Sequence, residues 1–327
     1  MPQNEVSLKT VLVTGGAGYI GSVTTDLLIG RGDRVVVIDD LSRGQLENVH
    51  PDAVFVQADI GDRGVVEAVV VEYDPDAVIH FAGYIAVGES VRNPGSYLDR
   101  NVARSTTFLD SLVRHDVSNV VFSSSAAVYG QPKMVPIDEN EDKQPTSPYG
   151  WTKWAFEQIL GFYEAAYGTR HVALRYFNAA GATERRVERH EPETHLIPNT
   201  LESASGGKTV SVFGTDYPTR DGTAIRDYVH VADLADAHLR AVDYLIGGGA
   251  SIALNLGSGV GFSVLDVIEA VRRVTGREVP IEFGDRRAGD PPQLVADPSL
   301  ARQVLAWEAN QSDLDNIVRS SWEIRSA

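Results

Sequence analysis

Six short, uninterrupted apolar runs recur through the first 178 residues: "KTVLVTG" (9–15), "DRVVVID" (33–39), "AVFVQAD" (53–59), "DAVIHFAG" (76–83), "SNVVFSSS" (118–125) and "RHVALRYFN" (170–178). They lack the apolar–polar alternation of a strand with one wet face. Continuous runs of this length are expected of strands covered on both sides, as in a parallel sheet. Helix-like segments separate them, for example 61–72 and 97–115. Strand–helix alternation of this kind constrains the chain to the α/β class, with a doubly wound parallel sheet. The rhythm breaks after residue 178, where the polar stretch "GATERRVERHEPETHLIP" (181–198) leads into a smaller mixed region. The helical pattern over 230–245 is expected to return to the first domain. The expected organisation is a first domain over 1–178 plus about 229–250. A smaller mixed α/β domain covers about 179–228 plus 251–327.

The chain's 327 residues are enough for a substantial core. The formal charge of −16 argues against a broad nucleic-acid or anionic-membrane surface, since both need basic patches. It leaves room for a small anionic ligand held by a few local arginines. The absence of cysteine excludes disulfides, thiolate catalysis and cysteine-ligated metals, and no metal is expected. The opening residues "MPQNEVSLKT" lack an apolar signal core, and no run of about 18 apolar residues follows. The expectation is a soluble cytoplasmic protein.

"VLVTGGAGYIGS" joins the first expected strand to the first helix, with Gly15, Gly18 and Gly21 spaced G-x-x-G-x-x-G. Glycines there let the backbone turn tightly and approach a pyrophosphate, which the helix N-terminus attracts with unpaired N–H groups. The second run ends in Asp39, about 20 residues later, where an acid can accept hydrogen bonds from an adenosine ribose. No arginine directly follows that acid, so NAD is favoured over NADP. Asp59, ending the third run, can reach an adenine amino group or serve as a helix N-cap; its position allows both.

Five of the 29 basic residues are lysines, and two of those five follow a tyrosine by four positions. In "YGQPK" (Tyr129, Lys133) a proline interrupts the spacer, so a continuous helix is not expected. In "SPYGWTK" the proline precedes the tyrosine, where a helix start tolerates it, so Tyr149 and Lys153 share a helix face. A phenol with a pKa near 10 is a poor base at neutral pH. Moving it to about 7 requires roughly 4 kcal/mol of preference for phenolate, more than the ~1 kcal/mol an exposed cation supplies. A partly dry site and the positive charge of oxidised nicotinamide are therefore expected. Lys153 can act electrostatically and also hydrogen-bond the nicotinamide ribose. Ser125, in "SSSAAVYG" at the end of the fifth run, offers a hydroxyl to the reacting oxygen.

These residues, with "HFAGYIAVGESV", "LRYFNAAGA", "VFGTDYPTRDGTAIRDYVHVADLADAH" and "NLGSGVGFSVLDVIEA", closely resemble the UDP-glucose 4-epimerases. Those are extended short-chain dehydrogenases/reductases with a Rossmann domain, and the resemblance runs from about residue 9 to 325. It implies that the first domain binds NAD and the second a UDP-sugar. It also implies that hydride leaves carbon 4 of the sugar and returns to the opposite face of a transient 4-keto sugar. In that scheme Tyr149 removes the 4-hydroxyl proton, Lys153 tunes Tyr149, and Ser125 holds the oxygen. The implied NAD contacts are Gly15, Gly18, Tyr19, Ile20, Gly21, Asp39, Asp59, Ile60, Phe81, Ala82, Asn101, Ser123, Tyr149, Lys153 and Tyr176. The implied UDP-sugar contacts add Asn178, His195, Leu196, Phe213, Arg226, Arg287, Asp290 and Leu294 to Ser125 and Tyr149. Paired arginines suit a diphosphate because each fork gives charge-assisted hydrogen bonds; read alone, Arg226 equally suits an ion pair with Asp227. His195 is expected beside the uracil or as a satisfied structural histidine. Leu294 stands where some members carry a tyrosine, leaving space for a 2-acetamido group.

Several positions depart from the family pattern: Ile85, Trp151 and Ala127, and Arg104 where a glycine is usual. None removes a proposed catalytic group. A homodimer through helices near 97–115 and 149–167 is implied by the resemblance alone. Other readings compatible with these residues are a UDP-pentose 4-epimerase, a related sugar-nucleotide-modifying enzyme, and a non-catalytic NAD-sensing protein on the same fold.

Overall fold

The computed structural model describes residues 8–188, 193–287 and 289–326. Residues 189–192 of the polar stretch and Ala288 lie outside the described residues. The six apolar runs become β1 (Thr10–Thr14), β2 (Arg34–Asp39), β3 (Val54–Gln57), β4 (Ala77–His80), β5 (Asn119–Ser125) and β6 (Arg170–Tyr176). Seven further strands follow. They are β7 (Asn178–Ala180), β8 (Val210–Phe213), β9 (Ile225–His230), β10 (Ile252–Leu256), β11 (Gly261–Ser263), β12 (Ile281–Gly284) and β13 (Gln293–Leu294). The main sheet has seven strands in the order β10-β6-β5-β4-β1-β2-β3. Its seventh member, β10, is not among the runs that the sequence singles out. The order reverses direction beside β1, which pairs in parallel with both β2 and β4. In a doubly wound sheet that reversal point is where ligands bind, outside the strand C-termini.

The chain forms two compact units. The first holds the described residues up to Ser123, Ala155–Ala173 and His238–Ile252. Val11, Leu12 and Val13 of β1, Val35 to Ile38 of β2 and Ala77 to Ile79 of β4 are all buried, as strands covered on both faces must be. The helix Tyr19–Arg31 ends on Gly32 in the left-handed conformation (φ 99°), whose amide bonds back to the last turn. Asp62 caps the helix Arg63–Tyr73 by accepting from the Val65 amide (3.2 Å). His80, at the end of β4, is buried and fully used. Its ring bonds Thr14 Oγ1 (2.7 Å) and Ser105 Oγ (3.0 Å) and stacks on Phe108. The segment expected as one helix over 97–115 is interrupted by a π-helical turn, Asp99–Ala103, before the regular helix Arg104–Val113.

The second unit holds Ser124–Trp154, Leu174–Ala237 and the described residues from Ala253 onward. It contains a small sheet centred on β9, antiparallel to β11 and parallel to β13 and β7. β8 and β12 form a separate parallel pair. Their apolar faces pack with the helices Leu196–Ala204, Val264–Thr275 and Leu314–Ser326 around Leu201, Val212, Val267, Val271 and Ile317. Asp227 of β9 is buried and ties three loop positions together. Its carboxylate accepts from the Ser258 amide and hydroxyl, the Gly259 amide and the Ala296 amide. Burial pushes its pKa up, and those donors offset part of the rise.

Ser263 starts the helix Val264–Thr275 with a capping box: its hydroxyl accepts from the Asp266 amide (3.1 Å) and Asp266 accepts from the Ser263 amide (2.7 Å). The same hydroxyl donates to Asp221. Ser263→Ala is expected to cost about 1–2 kcal/mol of unfolding free energy. Chemical denaturation that shows no change in midpoint would count against the cap.

Candidate active site

The turn after β1 is built for close approach. Gly15 has φ +73°, and a Cβ there would lie 2.7 Å from the Ala82 amide nitrogen. Gly18 occupies the N-cap of the helix Tyr19–Arg31 without any side-chain cap, which leaves first-turn amides for an anion. Asp39, 7% exposed, ends β2 with its carboxylate fixed by the Ala17 amide (3.0 Å) and the Leu41 amide (2.8 Å). Burial raises its pKa, and the two amides pull it back in part. Leu41 sits at φ 58°, a strained conformation for leucine, directly beside this acid. Asp59 does not cap the following helix, since Asp62 does. It accepts instead from the Gly61 amide (2.7 Å), from Arg100 (3.0 Å) and from Arg104. Arg100 also reaches Asp40 (2.6 Å).

Asn101 is buried in the π-helical turn, with its amide side chain spanning the Tyr84 backbone N–H (2.7 Å) and C=O (2.9 Å). That contact fixes the turn following Phe81 and Ala82. Ile60 and Ser123 are buried, and Ile85 is exposed. An uncapped helix start, a glycine turn without room for a side chain and a fixed acid at the end of β2 fit a dinucleotide.

The second unit holds the hydroxyl and lysine chemistry. Pro148 opens the helix Pro148–Tyr167, and Tyr149 and Lys153 follow on one face. Both are buried, at 9% and 3% exposure, and the Lys153 ammonium lies 6.0 Å from the centre of the Tyr149 ring. The helix start lies very close to the end of β5: a Cβ at Gly150 would sit 2.5 Å from the Ala127 carbonyl oxygen. That closeness brings the Tyr149 phenol to Ser125, with which it hydrogen-bonds. Ser125 Oγ also accepts from the Ala127 amide (3.2 Å). Burial pushes the Tyr149 pKa up, and Ser125 opposes part of the shift.

The other tyrosine–lysine pair is separated. The Tyr129 hydroxyl donates to Asn255 (2.6 Å) and accepts from Arg175 (3.0 Å), with its pKa pushed up to about 12 by burial. Lys133 is bound to Asp142. Trp151, at one of the departures, is half-exposed on the helix carrying Tyr149.

Three of the remaining expected residues, Asn178, Arg226 and Leu294, lie on β9 and the strands paired with it. Arg226 pairs with Asp290 and not with Asp227, because neighbouring strand residues face opposite sides. Leu294 stands in register with Arg226 and packs near Ala126. Asn178 stands in register with Tyr228, whose hydroxyl it hydrogen-bonds. Tyr228 was not marked by sequence; its position two residues after Arg226, on the same strand face, was the available signal. The Arg287 guanidinium lies over the Phe213 ring, 4.1 Å from its centre. Tyr176 is buried. Leu196 begins its helix and His195 precedes it. His195 Nδ1 lies 3.0 Å from Glu188 and 2.9 Å from Glu193. Burial alone would lower the His195 pKa, but the two carboxylates outweigh it and push it up to about 10. Neither glutamate was marked by sequence.

Residues 11–257 match the model of the NAD dependent epimerase/dehydratase family. The chain is 46% identical over 316 residues to a UDP-glucose 4-epimerase of Lacticaseibacillus casei, covering 96% of each protein. It is 49% identical over 321 residues to one of Rhizobium meliloti, covering 97% of each. Among solved structures, UDP-glucose 4-epimerase from Brucella ovis in complex with NAD superposes with a TM-score of 0.94 at 47% identity, over 96% of this chain and 98% of that one. The enzyme from Stenotrophomonas maltophila, with bound NAD and formylated UDP-arabinopyranose, gives 0.93 at 41% identity, over 98% and 100%. With likeness of this degree along nearly its whole length, the chain belongs to the NAD dependent epimerase/dehydratase family and, within it, to the UDP-glucose 4-epimerases.

Proposed function

We propose that the chain interconverts UDP-glucose and UDP-galactose by inverting carbon 4 through a transient 4-keto sugar, with NAD as a retained cofactor. The observation that carries this reading is the buried phenol of Tyr149, hydrogen-bonded to Ser125, with the ammonium of the buried Lys153 6.0 Å from its ring centre. Tyr149 takes the proton of the sugar's 4-hydroxyl and gives it back after inversion. Ser125 holds the same oxygen by a hydrogen bond. Lys153 stabilises the phenolate, which burial alone disfavours. When bound, oxidised nicotinamide supplies the hydride acceptor and the positive charge that the phenolate needs, and it ends each cycle unchanged. Gly15, Gly18 and Gly21 would hold its pyrophosphate, Asp39 its adenosine ribose and Asp59 its adenine.

On the sugar-nucleotide side, Arg226 and Arg287 would take the diphosphate. Phe213, Leu196 and His195 would line the base, and Asn178, Asp290 and Leu294 the sugars. The proposed domains follow this division, with NAD bound by 1–178 and about 229–250, and UDP-sugar by about 179–228 and 251–327. Tyr149→Phe is expected to lower kcat about a thousandfold while NAD stays bound. Turnover equal to the unmodified enzyme would remove Tyr149 from the chemistry.

Leu294 motivates a wider substrate range, since leucine occupies less of the sugar pocket than tyrosine would. Purified protein is expected to convert UDP-galactose without added NAD, and to turn over UDP-N-acetylgalactosamine at a comparable rate. Strict rejection of the acetylated sugar would discard the Leu294 reading, and a requirement for added NAD would discard the tight grip on the cofactor.

The proposal extends to a cytoplasmic homodimer that binds neither nucleic acid nor membrane. Among the described residues no helix is long and apolar enough to cross a membrane. Phe162 and Tyr167 are exposed on the helix Pro148–Tyr167, and Tyr163 of the same helix bonds Asp110 of the helix Arg104–Val113. Exposed aromatic rings grouped on paired helices suit a second copy. Phe162→Asp is expected to shift the sedimentation coefficient from dimer to monomer; a monomeric parent protein would refute the assembly.

A further inference from the structure

The π-helical turn Asp99–Ala103 brings together two side chains that a regular helix would separate. Residues five apart on an α-helix face different sides. Here the Arg104 amide bonds the Asp99 carbonyl across the widened turn. The side chains meet as well. Arg104 Nε donates to the Asp99 carboxylate (2.8 Å), and Arg104 Nη2 lies 2.8 Å from the same oxygen. With the guanidinium held by Asp99, its remaining arm, Nη1, bonds Asp59. The aliphatic stem of Arg104 packs against Gly61, where a Cβ would lie 3.0 Å from Arg104 Cγ.

Arg100, from the same turn, bonds Asp59 (3.0 Å) and Asp40 (2.6 Å) through one nitrogen. It thereby ties together the residues that follow β2 and β3. The Ala58 amide donates to the Asp39 carbonyl (3.2 Å), so Asp59 stands next to the acid proposed for the adenosine ribose. Both arginines use Asp59 Oδ2, whereas the Gly61 amide uses Oδ1 (2.7 Å). A carboxylate offers about four acceptor positions, two on each oxygen. The position left over is therefore on Oδ1. The Asp59 side chain keeps 26% exposure, so a ligand can reach it. Charge-assisted bonds from two directions on Oδ2 stop the carboxylate from turning and give Oδ1 a fixed aim.

We propose that Arg104 and Arg100 are positioning residues for cofactor selection. They fix Oδ2 of Asp59 so that Oδ1 accepts a hydrogen bond from the exocyclic amino group of the dinucleotide's adenine. The proposal rests on the reading of Asp59 as the adenine contact. It gives the π-helical turn a task, which is to seat Arg104 on that acid.

The test uses an NAD analogue with hypoxanthine in place of adenine, so that a carbonyl oxygen stands where the amino group was. Purified holoenzyme is equilibrated with equal amounts of NAD and the analogue until the bound ratio is constant. The bound dinucleotides are then released by denaturation and quantified. The unmodified enzyme is expected to prefer NAD about thirtyfold, the size of one hydrogen bond to a charged group. Arg104→Met keeps the stem against Gly61 and removes the guanidinium; the preference is expected to fall to about threefold. Asp99→Asn, at a half-exposed side chain, releases the guanidinium without touching Asp59, and is expected to lower the preference to about tenfold. A preference unchanged in both variants overturns the proposal. So does equal weakening of both dinucleotides, which would make the arginine a source of charge or of stability alone. Absence of any preference in the unmodified enzyme, or a preference that survives Asp59→Ala, would instead overturn the underlying reading of Asp59.

Discussion

One turn of helix sets Tyr149 and Lys153 on the same face, and the close approach of that helix to the end of β5 sets Tyr149 against Ser125. Gly150 permits the approach, Ser125 receives the phenol, and the surrounding protein removes water from both. Dehydration by itself makes a tyrosine a worse base, because it penalises the phenolate. It also makes nearby charge count for more, because the effective dielectric falls. A buried ammonium can therefore exert a pull that an exposed one cannot. The same burial that raises the Tyr149 pKa makes the phenol responsive to positive charge, so the proposed chemistry depends on the cations beside it and on how dry its surroundings are.

The six continuous apolar runs made the main sheet legible, because strands covered on both faces leave no polar trace of their register. The tyrosine–lysine spacing was legible because proline placement decides which pair is helical. Other features arise only when distant segments meet. Asp59 is gripped by Arg100 and Arg104 from a π-helical turn and the helix after it, and no spacing rule connects them. His195 lies between Glu188 and Glu193, which are near it in sequence, but no spacing rule marks the three as a group. β10, "IALNL", is too short and mixed to stand out before its neighbours are known. The compact units divide the chain within β5 and β6, where an apolar run gives no sign of a boundary.

Arg104 shows how a departure from the family pattern can be read physically. A glycine at that position would give the helix Arg104–Val113 a weaker start and no guanidinium. The arginine strengthens the helix and places a cation on an acid that would otherwise face its neighbours Asp40 and Asp99 with Arg100 alone. Charge is thereby balanced locally in a chain that is strongly acidic as a whole.

β9 carries two unlike duties on consecutive residues. Arg226 turns toward Asp290 and the proposed ligand side, while Asp227 turns the other way and ties loops together through buried hydrogen bonds. Because a strand alternates faces, displacing it by a single residue would exchange them, driving a guanidinium into the packed interior and leaving a carboxylate toward an incoming anion. A residue inserted or deleted within the six residues of β9 would therefore undo both duties at once, whereas a change of length in the connections on either side would leave them in place.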